Sequence, residues 1–232
     1  LAKKEWAPVK NRTQIVKKVA VLLGDHRKVD KIKPNDIFDE DDFFTLNELK
    51  KALAKLTGYR FSYFDQHETM ITDLQKNKTK FDLVFNLCDE GFDNEATKEL
   101  HIPTLLEMLK MAYTGGTPQC LAYCYDKSLI RGIAKEMDIP VPRAFLIKPE
   151  DTNFIELQAE FPVIVKPNFG DSSFGITQNS VCNTIKELEN AILLIREQTG
   201  YDKPVLVEEF LTGKDISVGI IGNPPESYQA LP

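Results

Sequence analysis

Residues 161–176 read FPVIVKPNFGDSSFGI and join a short apolar strand to a loop rich in glycine and serine. The β-branched run from Val163 to Val165 is typical of a buried strand, and Lys166-Pro167 ends it with a cation. Gly170 and Gly175 permit a close approach of the backbone to a ligand, and the hydroxyls between them add hydrogen-bond donors. This pattern indicates a loop that folds over phosphate. A plain strand, turn and surface lysine is the alternative.

A second apolar strand lies further along the chain and ends in two acids. Pro204–Leu211 reads PVLVEEFL, and a Gly-x-Asp turn ending at Asp215 follows it. Upstream, Lys127 lies at a predicted helix start. The order of a helix-start lysine, a strand-end lysine before a Gly/Ser loop, and paired acids before a Gly-x-Asp turn resembles that of the ATP-grasp enzymes. Within them it is most similar to the D-alanine–D-alanine ligase branch, over residues 19–232.

The fold class expected from these patterns is α/β. Val19–Gly24 is apolar at every position before its closing glycine, as in a central parallel strand. Arg60–Asp65 and Phe81–Leu87 are predicted to be the next two strands, and right-handed crossovers between them imply a parallel sheet. The resemblance implies a Rossmann-like, pre-ATP-grasp lobe followed by the central α+β lobe of an ATP-grasp protein. It also implies that the chain is truncated before the C-terminal catalytic lobe.

The resemblance, together with the order of the predicted elements, implies the expected domain organisation. Residues 1–18 are predicted to be an N-terminal arm, 19–116 an α/β substrate lobe, 117–212 the central ATP-grasp lobe, and 213–232 the beginning of the C-terminal lobe. Thr117-Pro118 is a strong helix start, and a second helix is expected to begin at Asp126. The central lobe is predicted to contain strands at 143–147, 161–166, 204–210 and 215–222 and helices at 152–159 and 183–199.

Composition excludes several classes of protein. A net charge of −6 argues against nucleic acid as the main partner. No apolar run approaches the roughly 20 residues of a membrane span. Four cysteines without a C-x-x-C pair indicate reduced thiols, and a cytoplasmic location is expected. A homodimer remains open. The acids between Asp36 and Asp42 are interpreted as a solvated loop in preference to a cation site.

The resemblance assigns candidate nucleotide-binding residues. Lys127 and Lys166 would contact the phosphates of ATP, and Ser172 and Ser173 would belong to the loop that closes over them. Lys166, Ser172 and Ser173 are thereby the catalytic candidates. Glu208 would accept a hydrogen bond from the adenine amino group. The backbone of Glu209, Phe210 and Leu211 would contact the edge of the ring, and Asp215 stands where the family has a glutamate that holds the ribose hydroxyls.

The implied reaction is the ATP-dependent joining of a carboxylate to an amine through an acylphosphate. Such chemistry depends on positioning and on charge stabilisation, so ATP and Mg²⁺ are the expected cofactors. The family's metal ligands are expected outside the given chain, and no metal ligand is assigned within it. A nucleotide-binding module without turnover and another ATP-grasp peptide ligase are the alternatives.

The substrate is not settled by the resemblance. The family's Ser-x-Glu loop, which holds an amino acid, is replaced by Asp25-His26-Arg27-Lys28, and its His-Gly turn by Glu90-Gly91. Asp25, Arg27 and Glu90 are therefore weak candidates for contacts to a small amino-acid or peptide-like substrate.

Overall fold

The computed structural model describes residues 16–151, 159–170, 173–223 and 227–230. Contacts within the chain divide it into two compact units. The first comprises residues 1–133 and 169–174, and the second comprises residues 134–168 and 175–232. The predicted lobe boundaries, including the one between residues 116 and 117, stay a prediction.

The first unit is built on a three-stranded parallel sheet. Its strands are β1 (Lys17–Leu22), β2 (Tyr59–Phe64) and β3 (Leu83–Asn86), in the order β2-β1-β3. Val19 in the central strand lies opposite Phe61 on one side and Leu83 on the other. The parallel sheet and its three strands are confirmed. Each strand end differs from its predicted position by one or two residues.

The described helices that lie or begin in the first unit are α1 (Glu40–Ala54), α2 (His67–Asn77), α3 (His101–Met108), α4 (Pro118–Tyr125) and α5 (Lys127–Glu136), the last of which ends in the second unit. Thr117 caps α4 as predicted, because its hydroxyl accepts from the amide of Cys120. The acidic run has a more specific role than a solvated loop. The carboxylate of Asp39 accepts from the amides of Asp41 and Asp42, and Asp42 accepts from the amide of Asp39, which forms the capping box of α1.

Side chains of β1 alternate between two cores, one on each face of the sheet. Ala20 and Leu22 pack with Met70 and Leu74 of α2 and with helix α3. Val19, Val21 and Leu23 pack against α1 on the opposite face. Positions 19–22 of β1 must therefore be apolar, whereas Lys17 and Lys18 at its start are exposed. This apolar run explains why the strand could be recognised from its sequence.

The second unit contains a four-stranded antiparallel sheet covered by one long helix. Its strands are β4 (Ala144–Ile147), β5 (Val163–Pro167), β6 (Val181–Cys182) and β7 (Val205–Glu209), in the order β4-β7-β5-β6. Helix α6 (Ile185–Thr199) packs its apolar face on this sheet. Two further strands, β8 (Ile220–Asn223) and β9 (Ser227–Ala230), pair with each other in a separate two-stranded sheet.

Two predicted elements of the second unit have different outcomes. The strand expected at 215–222 begins only at Ile220, and Ile216 is 84% exposed. A strand needs a neighbour for its backbone groups, and β9 pairs with residues 220–223 alone. The helix expected at 152–159 lies almost entirely outside the described residues. In the part of the chain that the structure describes, every helix is too short or too polar to cross a bilayer.

Candidate functional site

Lys166 and Glu208 form an ion pair on one face of the antiparallel sheet. Lys166 in β5 lies opposite Leu206, and Glu208 in β7 lies opposite Ile164, so the two charged side chains are diagonal neighbours. The Nζ atom of Lys166 contacts Oε2 of Glu208, and their side chains are 24% and 10% exposed. The structure thus brings together the predicted phosphate ligand and the predicted adenine ligand.

The strand period explains why this pair lies away from the core. Val163 and Val165 belong to the apolar cluster that packs against α6. Because successive side chains in a strand point to opposite faces, Ile164 and Lys166 face the other way. The sheet therefore has one face for packing and one that presents a cation beside a buried acid.

Lys127 contacts the glycine-rich loop of the first unit. Its ammonium donates to the carbonyl of Gly170, and the amide of Gly170 donates to the carbonyl of Tyr125 at 3.4 Å. Phe169 also forms an antiparallel bridge with Asp126. Lys127 thus holds the beginning of the loop in addition to any role toward a ligand. Ser172 lies outside the described residues.

Two residues at the end of the loop have left-handed backbone angles. Ser173 is exposed with φ of 59°. Gly175 has φ of 69°, and a Cβ there would lie 2.9 Å from Cγ of Pro167. Glycine is needed at this position because a side chain would meet the proline ring.

The segment predicted to contact the edge of the adenine ring, residues 209–211, already forms backbone hydrogen bonds at the sheet. The amide of Glu209 donates to the carbonyl of Arg143 at 2.9 Å, and the amide of Phe210 donates to the carbonyl of Pro162 at 3.0 Å. Leu211 is exposed and lies beyond the end of β7. Asp215 is exposed too, and its contact to ribose stays a prediction.

Asp25 is engaged within the first unit, where it joins the ends of two strands. Its carboxylate is 2% exposed and accepts from the amide of His67 at 2.9 Å. It also pairs with Nε of Arg27 at 2.7 Å, and Arg27 donates onward to the carbonyl of Asp65. Burial raises the pKa of Asp25, but the hydrogen bonds from His67 and Arg27 outweigh it and hold the pKa below its usual value. Both side chains therefore have structural partners, and their role toward a substrate stays a prediction.

Glu90 lies in a cavity of about 420 Å³ at the carboxyl ends of β1 and β3. The side chain is 17% exposed, and its Oε1 is 3.9 Å from Nζ of Lys33. Within the described residues, its buried Oε2 has no hydrogen-bond partner. Burial, reinforced by the neighbouring charge of Asp89, raises the pKa of Glu90 to about 7. Sequence reasoning singled out Glu90 but missed Lys33 and the cavity.

A sequence signal for this cavity exists in retrospect. Gly24 follows β1, and Glu90 follows β3, and the carboxyl ends of neighbouring parallel strands meet at one edge of a sheet. The acids of the capping box and Leu46 and Leu49 of α1 complete the lining. Across the described ranges, His, Cys, Asp and Glu side chains form no group of three or more that could hold a metal ion.

Comparisons with known proteins find D-alanine–D-alanine ligases similar to this chain. Residues 133–231 match the family described as D-ala D-ala ligase C-terminus. A D-alanine–D-alanine ligase of Nitratiruptor is 35% identical over 195 residues, covering 84% of this chain and 51% of that protein. One from Marinomonas is 32% identical over 164 residues, covering 68% and 48% respectively. The chain thus spans about half the length of these curated relatives.

A solved structure shares the fold at low sequence identity. The D-alanine–D-alanine ligase of Bacillus anthracis complexed with ATP has a TM-score of 0.61 and 19% identity, over 93% of this chain and 70% of that one. By the matched family and the curated relatives, the chain is similar to the D-alanine–D-alanine ligases.

Proposed function

We propose that the chain binds ATP on the sheet face that carries Lys166 and Glu208, as part of an ATP-dependent carboxylate–amine ligase. The observation that carries this proposal is the ion pair itself, because it sets a cation and a buried acceptor side by side on the face opposite the core. The Bacillus anthracis relative was solved with ATP, which supports the choice of nucleotide.

Each member of the pair suits one part of a nucleotide. An ammonium stabilises phosphate oxygens, and a buried carboxylate accepts from the exocyclic amino group of adenine. The amides of Glu209 and Phe210 donate within the sheet, so a backbone contact to the ring would fall to Leu211. Contacts of Lys127, Ser172 and Ser173 to phosphate, and of Asp215 to ribose, remain parts of the proposal.

The proposed reaction begins with a substrate carboxylate that attacks the γ-phosphorus of ATP. The bond from that phosphorus to the bridging oxygen breaks, ADP leaves, and an acylphosphate forms. An amine then attacks the acyl carbon, phosphate departs, and the amine loses a proton as the amide forms. In this sequence Lys166 would stabilise negative charge on the phosphates. Mg²⁺ would supply further charge neutralisation, and a cytoplasmic location is part of the same proposal.

Glu208→Gln is expected to lower the preference for an ATP analogue over a GTP analogue by about tenfold. A carboxylate can only accept a hydrogen bond, whereas an amide can also donate to the O6 carbonyl of guanine. Titration calorimetry with both non-hydrolysable analogues measures the ratio. Glu197→Gln, an equal charge change at an exposed position of α6, is the matched control. An unchanged ratio in Glu208→Gln would move the base site elsewhere.

D-alanine alone is expected to be a poor substrate. Asp25 and Arg27 occupy the family's amino-acid loop but are bound to each other and to the strand ends. Loss of a charged hydrogen-bond partner costs about 1.5–3 kcal/mol, which is roughly 10- to 150-fold in binding. Phosphate release by the full chain with Mg²⁺-ATP, across D- and L-amino acids and dipeptides, tests this expectation. Robust turnover with D-alanine as the sole amino acid would contradict it.

A further inference from the structure

The cavity that holds Glu90 lies at a characteristic position of the first unit's sheet. From β1 the chain crosses to β2 on one side, and from β2 it returns past β1 to reach β3 on the other side. The gap between the carboxyl ends of β1 and β3 is therefore a topological switch point, where open α/β sheets bind ligands. The cavity is lined by residues from both of these strand ends.

The backbone of β1 leaves room for the carboxyl group of Glu90. A Cβ on Gly24 would lie 2.5 Å from Oε2 and 3.0 Å from Oε1 of Glu90. Any side chain at position 24 would thus displace the carboxyl group. Since Oε2 has no partner among the described residues, Glu90 carries unused acceptor capacity in a partly desolvated place.

The one lysine in the lining is already engaged. Nζ of Lys33 is 2.8 Å from Oδ1 of Asp42 and 4.4 Å from the centre of the Phe38 ring. Its distance to Glu90 is 3.9 Å, too long for a hydrogen bond. An ionised Glu90 can only accept, so a ligand that pairs with it in that form must be a donor. A cationic donor gains most because, apart from Lys33, every other charged residue of the lining is an acid.

Besides its charged residues and Thr45, the cavity is lined by apolar side chains. At about 420 Å³ it has room for about a dozen water molecules, each of which occupies about 30 Å³ in the liquid. A ligand that buries a branched or aromatic substituent here removes apolar surface from water. The apolar side chains of the wall are Leu23, Phe38, Leu46, Leu49 and Leu87.

We propose that this cavity binds the ammonium group of a primary amine that carries a bulky apolar substituent, with Glu90 as its counter-ion. This inference rests on the proposed function. It means that the ligase takes a substrate with a leucine-like or aromatic side chain and holds that substrate through its amino group. Glu90 binds and orients this substrate and takes no part in bond making.

Isoamylamine, methylamine and isovalerate are the probes that separate charge from size. In calorimetric titrations of the full chain, isoamylamine should bind at least tenfold more tightly than methylamine, and isovalerate should bind least. Glu90→Gln should weaken isoamylamine binding by about tenfold or more, because the ammonium loses its charged acceptor. Glu48→Gln makes the same charge change at an exposed position of α1 outside the cavity and should leave the affinity unchanged.

A second variant and a pH series test the proposal independently of Glu90→Gln. Thr45→Phe narrows the cavity from an exposed position and should weaken isoamylamine binding more than methylamine binding. With the pKa of Glu90 near 7, isoamylamine affinity of the wild type should rise between pH 6 and pH 8 as the carboxyl ionises. The charged or titratable groups near Glu90 or in the lining of the cavity are Asp30, Lys33, Asp39, Asp41, Asp42, Cys88 and Asp89.

Several results would overturn the proposal. Equal isoamylamine binding by wild type and a folded Glu90→Gln would remove Glu90 from the site. A preference for isovalerate, or equal binding of the two amines, would show that the cavity takes another ligand. Nucleotide-analogue binding by the wild type is measured separately. Nucleotide binding without amine binding refutes this inference alone, whereas amine binding without nucleotide binding refutes the proposed function and leaves the amine site standing.

Discussion

Replacing Glu90 with glutamine is expected to raise the free energy of unfolding by about 3 kcal/mol above pH 7 and to leave it unchanged below pH 4.5. Burial and the charge of Asp89 raise the pKa of Glu90 from 4.5 to about 7. Folding therefore favours the protonated carboxyl group over the ionised one.

The direction of the pH dependence follows from that raised pKa. Below pH 4.5 the carboxyl of Glu90 is protonated in both the folded and the unfolded chain, and the glutamine variant resembles it. Between pH 4.5 and about 7 the unfolded chain loses its proton first, so the wild type loses stability as the pH rises. Glutamine has no proton to lose in this range. The stability difference between Glu90→Gln and wild type is therefore complete once Glu90 is ionised in both the folded and the unfolded chain.

Urea unfolding of both proteins at several pH values measures the difference. Glu48→Gln removes an exposed carboxylate paired with Lys51 and should change stability by less than about 1 kcal/mol at any pH. A constant difference between Glu90→Gln and wild type across the pH range would show that Glu90 has an ordinary pKa. A stability gain on removing this carboxylate is the usual pattern of a group kept for binding.

Lys166→Ala is expected to weaken binding of a non-hydrolysable ATP analogue by roughly 10- to 150-fold, the equivalent of one charged hydrogen bond. The lysine is fixed by β5 in the middle of the sheet, and its side chain is largely buried. Its loss removes the cation beside Glu208 and leaves that carboxylate without its ammonium partner.

Lys127→Ala is expected to have the smaller effect. The ammonium of Lys127 is bound to the carbonyl of Gly170, so its removal acts first on the position of the loop. Calorimetric titration ranks the two variants, and Lys186→Ala, an exposed lysine of α6, controls for a general loss of positive charge. Melting curves show whether each variant is folded. Equal effects of Lys166→Ala and Lys127→Ala would count against a phosphate site at Lys166.

The sequence was sufficient to identify the elements whose apolar pattern reports burial. From Val19 to Leu22, strand β1 is buried on both faces, so these positions had to be apolar and their pattern was unambiguous. The cap at Thr117 is local as well, since its partner is the amide of Cys120 three residues away. By contrast, the apolar run at 216–221 was only partly a strand, because a strand depends on a neighbour that no local pattern specifies.

Tertiary structure alone decided which charged residues are free to act. Asp25 and Arg27 were candidates by their position in the chain, but the fold places His67 and Asp65 beside them, from far along the sequence. Glu90 and Gly24 are distant in sequence and meet only because two parallel strands end at the same edge. Sequence patterns indicate local geometry and burial. How far a carboxylate is desolvated, and whether it finds a hydrogen-bond partner, depends on the packing of the whole unit.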